Sequence, residues 1–318
     1  MSNALDTKTK TIDVCVVTYR RLHLLKKLLL SLDRQIKHNL FSYQVIVVDN
    51  DRQRTAKTVV ERFEPKNCSI RYVVEPEKNI ALARNRALNL CAADYIATID
   101  DDETADECWL LNFFNAAVQY RADVLFGRVE PVFEAKTPEY MKKCPIFNCE
   151  RLPSGSIIGI ESYNTGNAYF KRGAIENESL RFDPRFGQTG GEDTHFFDQL
   201  KQKGYPAVWC DEAVVFHYYP PERARLRWIL QRTFRLGNNA IYIMGDEHWL
   251  LTQSSQRFKQ MACLIESIAK TVVKMFKCFL FKTDGQNNTS QVLNHLLIIA
   301  VRMGELLSLF NYRYREYR

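Results

Sequence analysis

Between residues 11 and 121, short apolar runs alternate with segments whose apolar residues recur at helical spacing. IDVCVVTY, YQVIVVD, SIRYVVE and DYIATID are short and rich in β-branched residues, which predicts four strands. RLHLLKKLLLSLDRQ, RTAKTVVERF, NIALARNRALNLC and CWLLNFFNAAVQYR predict helices between and after them; in the third, Ile80, Ala83, Ala87 and Cys91 share one face. Strands that alternate with helices imply βαβ units, hence an α/β fold with a mainly parallel, twisted sheet and helices on both faces. Ligands of such sheets bind beyond the carboxyl ends of the strands. Three of these ends are polar: Thr18-Tyr19, Asp49-Asn50-Asp51 and Asp100-Asp101-Asp102.

The third end is the strongest chemical signal. Glu103 follows directly, so four carboxyl groups meet where a buried strand stops. Like charges this close repel, and either a solvated loop or a bound cation must offset the repulsion. An acidic turn that caps the next helix is the competing reading. The whole chain of 318 residues, 46% hydrophobic and 25% charged, has an ordinary globular composition. Its net charge of +7 points to anionic partners. The nine cysteines are scattered and form no CxxC, and they read as small buried hydrophobes in a reducing compartment. MSNALDTKTKTIDV lacks the apolar core of a signal peptide, and no uncharged apolar run is long enough to span a bilayer, so the expectation is a cytoplasmic protein.

Absent motifs narrow the choice further. There is no GxGxxG after the first strand and no GxxxxGK[ST] anywhere, which removes dinucleotide-binding and P-loop readings. A nucleotidyltransferase could use the same strand-end carboxylates, but it would carry a glycine-rich basic loop where VVTYRRLHLL has no glycine. A nucleic-acid-binding protein would explain the charge, yet the basic residues are dispersed and show no recognition motif.

CVVTYRR, VIVVDND, NIALARNRAL, YIATIDDDE and GGEDTHFFDQLKQKGY, in this order and spacing, resemble a family 2 glycosyltransferase with the GT-A fold, over roughly residues 11–220. The resemblance implies a catalytic domain over 11–221, with a nucleotide-sugar half at about 11–130 and an acceptor half at about 131–221. A disordered N-terminus (1–10) would precede it, and a C-terminal helical extension (222–318) would follow. The donor would be a nucleotide-diphospho sugar, with a UDP-sugar favoured. The acceptor would be a glycan or a lipid-linked glycan in surface polysaccharide or lipopolysaccharide synthesis. By position, Thr18 and Tyr19 would lie against the base, Asp49 and Asp51 near base and ribose, and Arg84 at the base or diphosphate. Asp100 to Asp102 would form the DXD-like element, with Asp100 and Asp101 toward ribose or sugar and Asp102 holding Mg²⁺ or Mn²⁺; His217 would be a second ligand, with a packed strand-end histidine as the alternative. Gly166 and Asn167 would touch donor or acceptor, Gly191 and Glu192 would belong to the acceptor motif, and Asp193 would be the base. Two positions depart from the family pattern: Asn50 where a second Asp is common, and Arg20 where Asn is usual.

The chemistry suits these residue types. A nucleoside diphosphate gains negative charge as it leaves, and a divalent cation stabilises that charge. An acceptor hydroxyl must lose a proton, so a carboxylate is needed on the sugar's other face. Asp193, behind Gly190-Gly191 at a helix start, is the candidate, while simple helix capping by Glu192 and Asp193 is the alternative. Inversion follows from the family and from a single base without a covalent nucleophile.

Residues 132–165 show little periodicity and read as an acceptor-side insertion or lid. Beyond Pro220-Pro221 the chain turns helical and basic. In FKQMACLIESIAKTVVKMFKCFLFK, Lys270, Lys274 and Lys277 share a face that Leu264, Ile265, Ile268, Val272 and Phe276 avoid. Together with the aromatic and basic FNYRYREYR, this predicts an interfacial helix on an anionic membrane surface, the inner face of the cell membrane. A helix packed on the catalytic domain would show a similar stripe.

Overall fold

A computed structural model describes residues 9–147, 151–244, 254–280 and 285–315. The expected disorder of the first residues, Cys149, Lys282 and the last three residues of FNYRYREYR lie outside this description. The described chain forms two compact units.

The first unit comprises residues up to 130 together with 150–187 and 192–218. It opens with β1 (Lys10–Thr18), α1 (Leu22–Leu32), β2 (Phe41–Asp49), α2 (Lys57–Glu61), β3 (Ser69–Val74), α3 (Ile80–Leu88) and β4 (Tyr95–Asp100). There follow β5 (Glu103–Ala105), α4 (Trp109–Gln119), β6 (Val124–Phe133), β7 (Ala168–Lys171), α6 (Arg172–Glu176), α7 (Glu192–Gln202) and β8 (Ala207–Tyr219); the short α5 (Glu139–Lys142), between β6 and β7 in sequence, belongs to the second unit. The strand order is β3-β2-β1-β4-β7-β6-β8-β5. β3, β2, β1 and β4 are parallel, and β7 joins β4 antiparallel and extends the sheet.

The continuous apolar runs of the parallel strands are explained by burial on both faces. Val45 and Val47 of β2 enter one core with Leu25, Leu28, Trp109 and Phe113, while Ile46 and Val48 enter the other with Ala83, Ala87, Phe170 and Phe196. Two features start α3 locally. The Asn79 side chain accepts the N–H groups of Ala81 and Leu82 as an N-cap, and the alanines of its inner face let the helix lie close to the sheet.

The second unit comprises residues 131–149, 188–191 and 219–318. It contains α8 (Leu226–Met244), α9 (Ser254–Leu280) and α10 (Gly285–Ser308). α8 and α10 approach closely because each supplies a glycine at the contact: a Cβ on Gly237 would strike the Val301 carbonyl, and one on Gly304 the Phe234 carbonyl. The sequence reading puts residues 131–149 with the acceptor half. Instead Met141, Cys144 and Phe147 share a core with Ile229, Leu293 and Leu297, because this stretch is apolar enough to need cover from the helices. Of the cysteines, Cys15, Cys144 and Cys210 are buried and Cys263 is exposed. No described helix is long and apolar enough to cross a membrane.

Candidate functional site

Parallel register brings the polar strand ends together. Thr18 stands opposite Asp49 of β2, and Val17 opposite Asp100 of β4, so three carboxyl-terminal strand ends share one edge. Thr18 Oγ1 donates to Asp101 Oδ2 at 2.8 Å. Arg21, immediately before α1, spans two carboxylates, with Nη1 2.8 Å from Asp101 Oδ1 and 2.8 Å from Asp102 Oδ2. Burial pushes Asp101 up to about 6, with Arg21 opposing and Asp102 reinforcing the shift. Burial works against the charge of Arg21, but Asp101 and Asp102 outweigh it and keep the guanidinium protonated.

A second arginine ties this cluster to a distant part of the chain. Arg84 of α3 is buried, with Nη2 3.3 Å from Asp100 Oδ1 and Nε 3.3 Å from Glu192 Oε1 at the start of α7. Four acidic side chains are therefore tolerated at one strand end because two arginines, a threonine and a histidine surround them. Arg21 carries no assignment from the sequence; its only signal is a second positive charge next to Arg20, five residues after a strand core.

The positions expected beside the base and ribose are knitted into the protein. Asp49 is fully buried, and its carboxylate accepts from the N–H groups of Asp51 and Ala56 and from the Tyr72 hydroxyl. Asp51 is bound by Arg20 through Nε at 2.8 Å and Nη2 at 3.3 Å, and this contact holds its carboxyl below the usual range. Arg20 adopts φ of 57°. Its guanidinium and the Lys78 ammonium both lie over the Tyr19 ring, at 5.1 and 5.0 Å. Asn50 explains its own departure from the family pattern: Nδ2 donates to the carbonyls of Glu75 and Glu77, which an ionised Asp could not do.

Other expected positions fall in tighter surroundings. Asn167 is fully buried; Oδ1 accepts from Trp109 Nε1, and Nδ2 donates to the Arg128 and Ala213 carbonyls. Gly166 makes room for Glu103, since an added Cβ would stand 2.7 Å from Glu103 Oε1. Gly190 and Gly191 have φ of 79° and 92°, the left-handed region where glycine costs least, directly before α7. The two acids that follow differ in state. Glu192 is buried against Arg84, whereas Asp193 is half-buried and accepts from its neighbour Thr194, through the N–H at 2.7 Å and the hydroxyl at 3.4 Å.

His217 on β8 faces Glu103 across an antiparallel pair. Its Nδ1 lies 3.2 Å from Glu103 Oε1 and 3.8 Å from Asp102 Oδ1. Burial pushes Glu103 up to about 8, with His217 opposing. Among the described residues no group of three or more His, Cys, Asp or Glu could hold a metal ion. Asp102 and His217 are the residues that would hold a divalent ion here, and Mg²⁺ bound with a nucleotide takes only one or two protein ligands. Arg21 sets its positive charge between Asp101 and Asp102.

Comparison with known proteins follows the same lines. The chain is 33% identical over 251 residues to the succinoglycan biosynthesis protein ExoM of Rhizobium meliloti (strain 1021), a match covering 79% of this chain and 80% of that protein. The mannosyltransferase PcManGT from Pyrobaculum calidifontis, solved with GDP-Man and Mn²⁺, shares the fold with a TM-score of 0.56 at 18% identity, over 93% of this chain and 88% of that one. S. aureus TarS 1-349, solved with UDP-GlcNAc, does so with a TM-score of 0.53 at 15% identity, over 96% and 93%. At such identities these two speak for the fold alone, which is GT-A. The description of glycosyl transferase family 2 matches residues 13–178, a span that contains the strand ends of β1, β2 and β4. With that match and a relative so similar along most of its length, the chain belongs to glycosyl transferase family 2 and is a glycosyltransferase.

Proposed function

We propose that the protein transfers a sugar, with inversion, from a UDP-sugar to a hydroxyl of a glycan or lipid-linked acceptor during synthesis of a surface polysaccharide. The observation that carries this reading is the Arg84 bridge. It ties Asp100, at the nucleotide-side strand end, to Glu192, which begins the acceptor-side helix just before Asp193. A link of this kind, buried at Arg84 and Glu192 and half-exposed at Asp100, would hold a carboxylate at a set distance from the strand-end cluster, as displacement at a sugar carbon requires.

In this scheme Thr18, Tyr19, Asp49 and Asp51 frame the nucleoside, and Asp102 with His217 holds Mg²⁺ or Mn²⁺. The bound ion would offset the charge that develops on the diphosphate leaving group. Arg21 and Arg84 add fixed positive charge beside Asp100, Asp101 and Asp102. Asp193 takes the proton of the acceptor hydroxyl. It lies in the first turn of α7, and its one protein partner among the described hydrogen bonds is Thr194. Glu192 is committed to Arg84 and is the weaker candidate for the base. The surface-polysaccharide role draws on the similarity to a succinoglycan biosynthesis protein, and the choice of UDP on the family resemblance.

The proposal also seats the enzyme on the inner face of the cell membrane. On α9 the exposed apolar stripe is Phe258, Ile265, Val273 and Phe276, with Lys259, Lys270, Lys274 and Lys277 exposed along one side. Leu264 and Thr271 are buried on the opposite face. The stripe thus differs from the sequence pattern, which groups Leu264 with Ile265: packing against α10 takes Leu264 inward and leaves Ile265 outside. An apolar strip flanked by lysines suits an anionic bilayer.

The test is a thermal-shift screen of UDP-, GDP-, dTDP- and CMP-sugars with and without Mn²⁺. Ligand at one hundred times its Kd stabilises by about 2.7 kcal/mol, so a true donor gives a clear shift, larger with Mn²⁺. Stabilisation by no nucleotide sugar overturns the reading, and a GDP-sugar as the single responder overturns the choice of UDP.

A further inference from the structure

Thr189, Gly190 and Gly191 lead straight into Glu192 and Asp193, and two of the three fix their own backbone poorly. Gly190 and Gly191 carry no side chain and hold φ of 79° and 92°, so their own chemistry leaves the path of the chain into α7 loosely determined. A residue of α8 fixes it. Asn239 is 5% exposed, and its Nδ2 donates to the Thr189 carbonyl and to the Gly190 carbonyl, each at 2.9 Å. One amide group thus spends both its hydrogens on two successive carbonyls. Gly191 lies close by: an added Cβ would stand 2.9 Å from Ile243 Cδ1 and 3.6 Å from Asn239 Nδ2. Residues 188–191 accordingly belong with the helices of the second unit.

The preceding residue of α8 offers a matched comparison. Asn238 is fully buried and also donates to two carbonyls, that of Gly304 at 3.1 Å and that of Tyr312 at 2.8 Å, while its Oδ1 accepts the Tyr314 N–H at 2.9 Å. Asn238 therefore ties α8 to α10 and to the residues after it, whereas Asn239 ties α8 to the loop before Asp193.

We propose that Asn239 is a positioning residue for the transfer step: by holding the Thr189 and Gly190 carbonyls, it sets the direction in which the chain enters α7 and hence the place of the Asp193 carboxylate. The inference rests on the reading of Asp193 as the base. Its physical basis is the steep dependence of rate on geometry, since a misplacement of about 1 Å caused by a change remote from the chemistry can cost about 10²-fold. Two glycines without the Asn239 amide leave the chain free to make such a shift.

Turnover is read as UDP release from the UDP-sugar that gives the largest thermal shift, with water as the acceptor. Asn239→Ala should lower kcat about 10- to 100-fold, with the Mn²⁺-dependent affinity for UDP unchanged. Hydrogen exchange followed by mass spectrometry should be faster across residues 190–194. Asn239→Gln keeps the amide on a longer stem, so it should hold its melting temperature near wild type, displace the loop and still lose turnover. Asn238→Ala removes donors of the same kind from the same helix; it should lower the melting temperature and leave kcat and exchange at 190–194 as in wild type. In the Asp193→Asn background, Asn239→Ala should cost no further turnover, because its effect passes through that carboxylate.

Wild-type kcat in Asn239→Ala overturns the proposal, as does wild-type kcat in Asn239→Gln should the alanine variant not fold. Equal losses in the Asn238 and Asn239 variants, or a UDP affinity that falls in step with kcat, make Asn239 a purely structural residue. An undiminished further loss in the Asp193→Asn background shows that it acts through some other group. If Asp193→Asn alone keeps normal turnover, the reading of Asp193 as the base fails first, and this inference fails with it.

Discussion

Asn50→Asp would restore the side chain that the family commonly carries, yet the structure predicts that it destabilises the protein. Asn50 is 6% exposed, and Nδ2 donates to the Glu75 carbonyl at 3.0 Å and the Glu77 carbonyl at 2.6 Å, while Oδ1 accepts the Asn79 N–H at 3.1 Å. The carboxylate keeps the third bond and loses the first two, and it sets negative charge against two carbonyl oxygens. Each lost hydrogen bond costs about 0.5–1.5 kcal/mol, so two cost about 1–3 kcal/mol, with Glu75 half-buried and Glu77 exposed. The fall in melting temperature is then on the order of 2–5 °C for a chain of this length. The dependence on pH has a definite sign. Burial against carbonyls raises the folded-state pKa of the new carboxyl above its unfolded value of about 3.9. The folded protein therefore binds the proton more tightly, so the penalty is smallest in acid and grows as pH rises above about 4. Asn50→Ala is the control, because it loses the same donors without adding charge. Scanning calorimetry of the three proteins between pH 4 and 8 should show Asn50→Asp falling behind Asn50→Ala as pH rises. Asn50→Asp as stable as wild type at pH 8 would refute the hydrogen-bond account of this position.

Three further outcomes are expected. Asp193→Asn should lose about 10²- to 10⁴-fold in turnover with donor affinity unchanged, while Glu192→Gln should lose less in turnover and more in stability, because Arg84 gives up a buried partner; steady-state kinetics beside calorimetry separates the two, and normal turnover in Asp193→Asn moves the base elsewhere. Arg21→Gln removes the charge between Asp101 and Asp102, so the protein should be less stable without ligand and gain more from Mn²⁺ than wild type does, read as the difference in melting temperature; an equal gain in both would show that the ion and the arginine do not share those carboxylates. Changing Lys270, Lys274 and Lys277 to Glu should release the protein from anionic liposomes, and Phe258→Ser with Phe276→Ser should weaken binding at any salt concentration; sedimentation in which neither variant differs from wild type would remove α9 from the membrane.

The chain's own pattern determined the repeating strand–helix order of β1 to α4, because burial on both faces of a parallel sheet demands continuous apolar runs and helical stripes. It also determined the three polar strand ends, since strand ends lie beyond the apolar core and their charge shows in the sequence. Three things were decided only by tertiary structure. The first is which cations meet the acidic run: Arg21 and Arg84 lie 80 and 16 residues away from their partners, and neither separation shows in any periodicity. The second is the difference between Glu192 and Asp193, adjacent and alike in type, which arises because a helix start turns one toward Arg84 and leaves the other half-exposed. The third is the direction of α9: a helix with apolar residues on more than one side has a sequence compatible with several inward faces, and the partner helix chooses among them.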